Sequence, residues 1–338
     1  CIRDSNSTDH VGLKFVDVIN HRSRAGLTMD DLWAMKTDGY GQDEWMNLAA
    51  DIVGVTARLT AKFNGEHDPS QPRYARVPVG PTCAFCILMA SRGFVYWSEE
   101  KAGGRDNRYH KNDDCRIVSS WGEAHVKGYD PEGMKARYLQ CRKTIAGMLN
   151  RDEYGKYVAR MKDAGKDEDE IDDYNLWTTH RITEEMSQRD RRWLYDGTTP
   201  EPSVESARAW SELQKHERKT LDALKDNGFA VTVRERSDKQ GVKTSDAIIN
   251  GKRVDFKAPE GHGKNTIDQL LRSAARQGDA AVIHLQKERT ELDAEACKDY
   301  IRSSLRRRRL DYVLLIDYDG NIVRVERDTE TASHSQSQ

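Results

Sequence analysis

Residues 245–259, SDAIINGKRVDFKAP, contain two short apolar runs separated by an Asn-Gly pair. Such a pair between apolar runs is typical of a tight turn between two adjoining strands. Side chains alternate between the two faces of a strand, which places Asp255 and Lys257 on one face. Asp246 begins the preceding strand and can lie beside them if the two strands pair. The sequence therefore predicts that two carboxylates and one lysine share a pocket.

Two converging carboxylates and a lysine suit the hydrolysis of a phosphodiester bond. That reaction requires neutralised phosphate charge, a hydroxide near neutral pH and a stabilised leaving alkoxide, and Mg²⁺ held by carboxylates supplies all three. Lys257 adds a fixed positive charge that can orient the attacking water or meet the phosphate. An Asp-x-Lys sequence at a strand end is, by itself, also typical of a surface ion pair of small energetic value. The nuclease interpretation therefore depends on the surrounding elements.

The chain around this stretch alternates between helical and extended patterns. Residues 206–228 have the apolar spacing of a single helix, with Gly228 at its C-terminal cap. We expect three strands to follow, at 229–235, 245–251 and 252–258. After them we expect a helix at 265–278, a buried strand at 280–286, a further helix at 292–305 and a hairpin at 311–326. This order predicts a mixed α/β sheet layered with helices.

The segments HERKTLDALKDNGF (216–229), VDFK (254–257), IDQLLRSAARQ (267–277) and AVIHL (281–285), together with Asp246, resemble the PD-(D/E)XK nuclease superfamily. More narrowly, they resemble the C-terminal toxin domain of contact-dependent growth inhibition proteins, which are described as tRNA nucleases. The resemblance spans roughly residues 210–318, and a Thr-Ser pair precedes Asp246 where family members carry proline. It implies an endonuclease in which Glu217, Asp246 and Asp255 hold Mg²⁺ or another divalent cation. Lys257 would then polarise the attacking water or the phosphate.

Two further features could extend this site. Gln277 and His284 lie at positions that could face it, although helix surface and strand packing are the favoured interpretations. Residues 304–310, SLRRRRL, form a basic cluster beside the expected sheet. Arg306, Arg307, Arg308 and Arg309 could grip backbone phosphates or could be only a solvated helix end.

The N-terminal half contains a different set of metal-ligand side chains. Cys83 and Cys86 have two residues between them, and His110 and Cys115 follow in the stretch RYHKNDDCRIV. Zn²⁺ prefers four tetrahedral nitrogen and sulfur ligands, so the spacing favours a closed, structural Cys3His site. A CxxC pair can also be redox-active or simply packed.

The stretch RYARVPVGPTCAFCILMASRGFVYW, residues 73–97, followed by a histidine and a cysteine, resembles the head-morphogenesis or minor capsid proteins of tailed phages. The resemblance covers roughly residues 70–125, with Met89 in place of the usual leucine. It departs from the family at the last ligand, because four residues separate His110 from Cys115 and no further cysteine follows closely. The family carries variable toxin domains at its C-terminus, so both resemblances fit one architecture.

Composition limits the alternatives. The chain has 338 residues, 37% of them hydrophobic and 33% charged, which suits two or three domains with a highly polar surface. A formal net charge of −2 argues against a protein that coats nucleic acid by charge alone. No apolar run approaches the roughly 18 residues of a membrane span, so we expect a soluble protein without a membrane partner.

The patterns together predict an α+β multidomain protein. A mostly helical, phage minor capsid-like part (1–160) contains the Cys/His segment (73–121) and an amphipathic helix (42–62). A polar linker or helical connector (161–203), a PD-(D/E)XK nuclease-like domain (204–328) and a disordered tail (329–338) follow.

The predicted function is a phage or prophage minor capsid protein that carries a metal-dependent nuclease toxin domain. Its partners would be nucleic acid, either tRNA or DNA, phage portal or capsid proteins, and an immunity protein. It would reside in the virion head and, after delivery or expression, in the bacterial cytoplasm. Two alternatives remain: a structural head protein with an inactive nuclease fold that only binds, and a free restriction-like endonuclease whose N-terminal half recognises DNA.

Overall fold

The computed structural model describes residues 29–50, 65, 68–103, 115–122, 125–238, 244–261 and 263–327. These residues fall into two compact units. The first unit lies within 1–79 and 92–129, and the second within 80–91 and 130–338. None of the helices in these ranges is long and apolar enough to cross a membrane.

The first unit combines helices with a small sheet. Helix α1 is Met29–Thr37, and residues 42–50 are also helical, which agrees with the first part of the helix expected at 42–62. The remainder of that helix, 51–62, lies outside the described residues. Strand β1 (Arg73–Val77) pairs antiparallel with β2 (Arg116–Ser120).

The second unit contains nine of the labelled helices. They are α2 (Ala84–Ala90), α3 (Pro131–Thr144), α4 (Arg151–Asp163), α5 (Tyr174–Ser187), α6 (Arg191–Asp196), α7 (Ala207–Ser211), α8 (Lys215–Asp226), α9 (Lys264–Ala274) and α10 (Ala294–Leu305). Many begin at a polar side chain that accepts a hydrogen bond from a backbone N–H of the first turn, as Asp130, Asp173 and Asp293 do.

A seven-stranded mixed sheet forms the centre of this unit. Its strands are β3 (Ser203–Val204), β4 (Val231–Val233), β5 (Ala247–Ile249), β6 (Lys252–Lys257), β7 (Ala280–His284), β8 (Tyr312–Ile316) and β9 (Ile322–Glu326), and they lie side by side in chain order. Neighbours β3–β4, β6–β7 and β7–β8 are parallel, whereas β4–β5, β5–β6 and β8–β9 are antiparallel. The predicted mixed sheet with its helices and closing hairpin is confirmed.

Two hydrophobic clusters cover the faces of this sheet. Phe256 belongs to the cluster that includes Leu221 and Leu224 of α8. Ile283 of β7 belongs to the other cluster, with residues of α9 and α10. Since side chains alternate along β6, the residues flanking Phe256 point toward the α9 face.

The single helix expected at 206–228 is wrong, because the structure has α7 and α8 instead. Gln214 adopts an extended backbone conformation, with φ −74° and ψ 161°, between them. Its N–H donates to the Glu217 side chain at 2.7 Å, which forms a capping box that starts a new helix.

The segment predicted to connect the two functional parts, 161–203, contains α5 and α6. Glu185 of α5 forms buried ion pairs at 2.8 Å with Arg189 and with Arg324 of β9. This segment therefore packs with the sheet, and the boundary expected near 200 lies inside the second unit. The functional boundaries at 160 and 203 stay predictions, and the tail, 329–338, lies outside the described residues.

Candidate functional site

The pairing of β5 with β6 brings two aspartates together. Ala247 is paired with Val254, so the antiparallel register sets Asp246 opposite Asp255. The Asp246 Oδ2 atom accepts a hydrogen bond of 2.7 Å from the backbone N–H of Phe256. The Asp255 carboxylate is close enough to raise the pKa of the Asp246 carboxyl group. Backbone pairing thus fixes both carboxyl groups at one place on the sheet.

Lys257 completes the group that the strand alternation predicted. Its Nζ atom lies 2.5 Å from the Asp255 Oδ2 atom, and the two side chains are 17% and 1% exposed. Gln277, just beyond α9, donates from Nε2 to the same carboxylate oxygen at 3.4 Å. A buried carboxylate is therefore held between a cation and an amide.

Glu217 approaches this group from the first turn of α8. One of its carboxylate oxygens accepts the hydrogen bond from the Gln214 backbone, and the other lies 2.9 Å from the Arg236 guanidinium. The same guanidinium lies 4.0 Å from an Asp246 oxygen. Arg236 was not expected from the sequence, because it lies in an irregular loop that carries no periodic pattern or motif.

These side chains line a cavity of about 450 Å³ in the second unit. Its walls are formed by Gln214, His216, Glu217, Arg236, Ser237, Thr244, Asp246, Asp255, Phe256, Lys257, Ala258, Leu270 and Gln277. The predicted residues Glu217, Asp246, Asp255 and Lys257 thus lie around one space. His216 also lines it, and burial lowers the pKa of its imidazole.

The environment strongly alters the ionisation of Asp246. Burial raises the pKa of its carboxyl to about 7, and the neighbouring Asp255 carboxylate acts in the same direction. The hydrogen bond from Phe256 and the charge of Lys257 act in the opposite direction. In the protein without a bound metal ion, a large fraction of the Asp246 carboxyl groups is therefore protonated at neutral pH.

The donor set fits a hard divalent cation. Two adjacent carboxylates whose charges repel each other are relieved by a cation between them, and Mg²⁺ needs only one or two carboxylates from the protein. Glu217 faces Arg236 rather than these aspartates. Within the described part of the chain, no three His, Cys, Asp or Glu side chains are placed to hold a metal together. A third carboxylate ligand would thus require Glu217 to leave Arg236.

His284 lies on the other face of the sheet from Lys257. Its Nδ1 atom is 3.1 Å from the Thr220 hydroxyl of α8 and 3.3 Å from the Gln286 amide. Burial lowers its pKa to about 4. His284 therefore packs between β7 and α8, whereas Gln277 faces the cavity.

Two of the four clustered arginines connect helices. Arg307 and Arg308 donate to the two carboxylate oxygens of Asp268 in α9, at 3.2 Å and 2.8 Å. Arg306 and Arg309 are exposed. The cluster precedes the start of β8, whereas Lys257 ends β6, and these strands run in the same direction. The basic cluster and the cavity therefore lie toward opposite ends of the strands, and phosphate binding by the arginines stays a prediction.

The predicted zinc ligands are only partly described. Cys83 caps α2 by accepting a hydrogen bond of 3.4 Å from the backbone N–H of Cys86, and both belong to the second unit. Cys115 precedes β2 in the first unit, and His110 lies outside the described residues. The Cys3His site, like the loading of zinc, stays a prediction.

Two regions of the chain are similar to known protein families. Residues 19–141 match the family model of the VG15 protein, a phage-protein family. Residues 243–322 match the contact-dependent growth inhibition CdiA C-terminal domain. The second match includes Asp246, Asp255 and Lys257 but begins after Glu217. The chain thus combines a phage-protein-like region with a toxin-like region, as the two sequence resemblances predicted.

One solved structure is similar to part of the chain. It is the CdiA-CT/CdiI toxin and immunity complex from Burkholderia pseudomallei, at 26% identity and a TM-score of 0.26. The similarity covers 32% of this chain and 80% of that chain. No curated protein matches the chain.

Proposed function

We propose that the protein is a phage or prophage minor capsid protein whose C-terminal region is a metal-dependent endonuclease toxin. The observation that carries the nuclease proposal is the meeting of Asp246, Asp255 and Lys257 in one cavity. Three residues separated by up to eleven positions converge because β5 and β6 pair in a register that sets the aspartates opposite each other. A chance ion pair at the surface would leave the aspartate exposed, whereas the Asp255 side chain is only 1% exposed.

The chain's own groups suit the hydrolysis of a phosphodiester bond. In this reaction the oxygen of water bonds to phosphorus, the bond to the leaving oxygen breaks, and that oxygen receives a proton. Lys257 supplies a buried positive charge next to which the attacking water or a phosphate oxygen can be held. Asp246 and Asp255 would hold the cation, with Glu217 as a further ligand. When bound, the divalent cation would neutralise phosphate charge and lower the pKa of its water.

The match to the CdiA C-terminal domain supports a toxin. The cavity with its aspartates and lysine supports nucleic acid, such as tRNA or DNA, as the substrate of that toxin. An immunity protein that protects the producing cell would be a natural partner of such a domain. The match of residues 19–141 to a phage-protein family supports attachment to the portal or capsid. In this proposal the protein resides in the phage head and acts in the bacterial cytoplasm after delivery or expression.

A second candidate function is binding without cleavage. It is favoured by one contact: Arg236 engages Glu217, which leaves two carboxylates rather than three for a metal. A head protein with an inactive nuclease fold would retain the cavity and bind nucleic acid or a partner protein.

Incubation of the purified full chain with tRNA and with duplex DNA separates the two functions. With Mg²⁺ the proposal predicts shortened products of at least one substrate, and with EDTA it predicts intact substrate. Denaturing gels measure cleavage, and native gels measure binding in the same samples. A mobility shift with intact substrate under both conditions, across pH 6 to 9, would instead establish the binding protein.

A further inference from the structure

Arg236 places a permanent positive charge at the acidic side of the cavity. Its guanidinium lies 2.9 Å from a Glu217 oxygen and 4.0 Å from an Asp246 oxygen. Glu217 is almost completely buried, whereas the Arg236 side chain is 45% exposed. The arginine therefore reaches from the surface to a carboxylate that has little other access to solvent.

The backbone around Arg236 is held independently of Glu217. On one side, the Glu235 N–H donates to the Glu205 carboxylate at 2.9 Å. On the other, the Ser237 N–H donates to the Thr244 hydroxyl at 3.1 Å. Because neighbouring residues anchor the loop, the guanidinium can leave Glu217 by side-chain rotation without unfolding the loop.

The positive charge of Arg236 opposes the binding of a divalent cation near Glu217. Lys257 is paired with Asp255 and also acts on Asp246. Arg236, by contrast, is paired with Glu217 and lies 4.0 Å from Asp246. A divalent ion between those two acids would lie within a few ångströms of the guanidinium. Like charges at such a distance repel each other strongly in a partly buried site. The guanidinium and the divalent ion therefore exclude each other from Glu217.

We infer that Arg236 is an internal counter-ion that competes with a divalent cation for Glu217 and Asp246. In the metal-free protein it satisfies the buried Glu217 carboxylate, and it must turn away when the cation binds there. Arg236 is thus a positioning residue that sets metal affinity, and the inference rests on the proposed function only in taking the cavity as a metal site.

Mn²⁺ binding to the full chain tests this inference without any measurement of cleavage. Free Mn²⁺ is followed by electron paramagnetic resonance for the wild type, for Arg236→Gln and for Arg302→Gln. Arg302 lies on α10, where it pairs with Asp299, so its replacement changes net charge equally and serves as the control. We expect Arg236→Gln to bind Mn²⁺ about tenfold more tightly than the wild type, and Arg302→Gln to bind as the wild type does.

The opposite results overturn the inference. If Arg236 has a purely structural role, Arg236→Gln should bind Mn²⁺ as the wild type does or more weakly. Either outcome contradicts competition between Arg236 and the cation. A lack of Mn²⁺ binding by all variants also contradicts it. If thermal unfolding shows that Arg236→Gln does not fold, Arg236→Lys replaces it in the test. The lysine side chain is shorter than arginine and should pair less well with Glu217, so this variant should still bind Mn²⁺ more tightly than the wild type. An affinity of Arg236→Lys equal to that of the wild type would then overturn the inference.

The inference and the proposed function can fail separately. Tighter Mn²⁺ binding by Arg236→Gln together with uncleaved nucleic acid would retain the counter-ion and reject the nuclease. Cleavage that requires Mg²⁺, together with unchanged Mn²⁺ affinity in Arg236→Gln, would retain the nuclease and reject the counter-ion.

Discussion

Asp246 carries a carboxyl group that the fold keeps next to a second carboxylate. Backbone pairing sets the two residues opposite each other, so their Cα atoms cannot separate without opening the sheet. Burial and the charge of Asp255 then raise the pKa of Asp246 to about 7. Its protonation should consequently affect the stability of the metal-free protein.

Asp246→Asn should remove a pH dependence of unfolding. The folded-state pKa is about 7, whereas an aspartate in the unfolded chain has its ordinary pKa of about 3.8, so between these pH values the folded state binds more protons than the unfolded state. The free energy of unfolding therefore decreases as pH rises from about 4 to about 7 and is constant above that. The asparagine variant lacks this loss and should gain up to about 4 kcal/mol relative to the wild type between pH 4 and pH 8, since one pKa unit corresponds to about 1.4 kcal/mol.

Urea unfolding in EDTA at several pH values measures this effect. Asp299→Asn, at an exposed position on α10, is the matched control and should follow the wild type. Parallel pH profiles for the wild type and Asp246→Asn would show that the carboxyl is not protonated in the folded state.

Single residues were predicted where alternation along a strand determines the face. Asp255 and Lys257 share a face because two positions separate them, and Asp246 follows from the turn that pairs the strands. His284 was considered for the site, but the alternation along β7 turns it toward α8. Arg236 could not be predicted, because no repeating geometry relates its loop to the helix that carries Glu217.

At the level of elements, the helices α9 and α10 are joined by a small ion cluster. Asp268 accepts hydrogen bonds from Ser304, Arg307 and Arg308. Arg308 is 17% exposed, so its charge is compensated mainly by this carboxylate. The arginine run therefore contributes to packing as well as to surface charge.

Arg308→Ala and Arg309→Ala should differ in stability although they remove the same charge. Loss of Arg308 removes a charge-assisted hydrogen bond from a partly buried pair and should cost about 1 to 2 kcal/mol of unfolding free energy. Loss of the exposed Arg309 should change stability by less than about 0.5 kcal/mol. Urea denaturation measures both, and equal losses would contradict the assignment of Arg308 to helix packing.

The same pair of variants tests phosphate binding by the cluster. If Arg309 contacts nucleic acid, Arg309→Ala should reduce the salt dependence of binding by about one charge. An unchanged salt dependence would show that Arg309 contacts solvent and not nucleic acid.

Element types were predicted well where apolar periodicity was continuous. The order of α8 through β9 was expected, because each segment has a pattern and a turn signal at its end. The break between α7 and α8 was missed, since apolar residues continue with helical spacing on both sides of the extended Gln214. Strand β3 was also missed, because two residues carry too little pattern.

At the scale of the whole molecule, the sheet unit is larger than the region that the toxin-like match covers. Helices α3 to α6 belong to the same compact unit, and Glu185 joins α5 to β9 by a buried ion pair. The sequence predicted a polar linker or helical connector at 161–203, and Glu185 is one of the charged residues of that segment. Exposed and buried charges are alike in a sequence, and only the fold shows which ones are paired.

The nuclease proposal requires the complete set of groups around the cavity. Asp255→Asn retains the size of the side chain but removes the charge that pairs with Lys257 and that, in the proposal, would hold the cation. Lys257→Met retains most of the volume and removes the ammonium. Both should leave the fold in place, as checked by circular dichroism, while Asp299→Asn provides a control for the loss of an exposed carboxylate.

Cleavage of tRNA and duplex DNA by the full chain in Mg²⁺, compared across these variants, tests the central claim most directly. We expect the wild type and Asp299→Asn to cleave at equal rates, and Asp255→Asn and Lys257→Met to be at least about a hundredfold slower. Cleavage by folded Asp255→Asn at the rate of the wild type would contradict the assignment of this cavity as the active site.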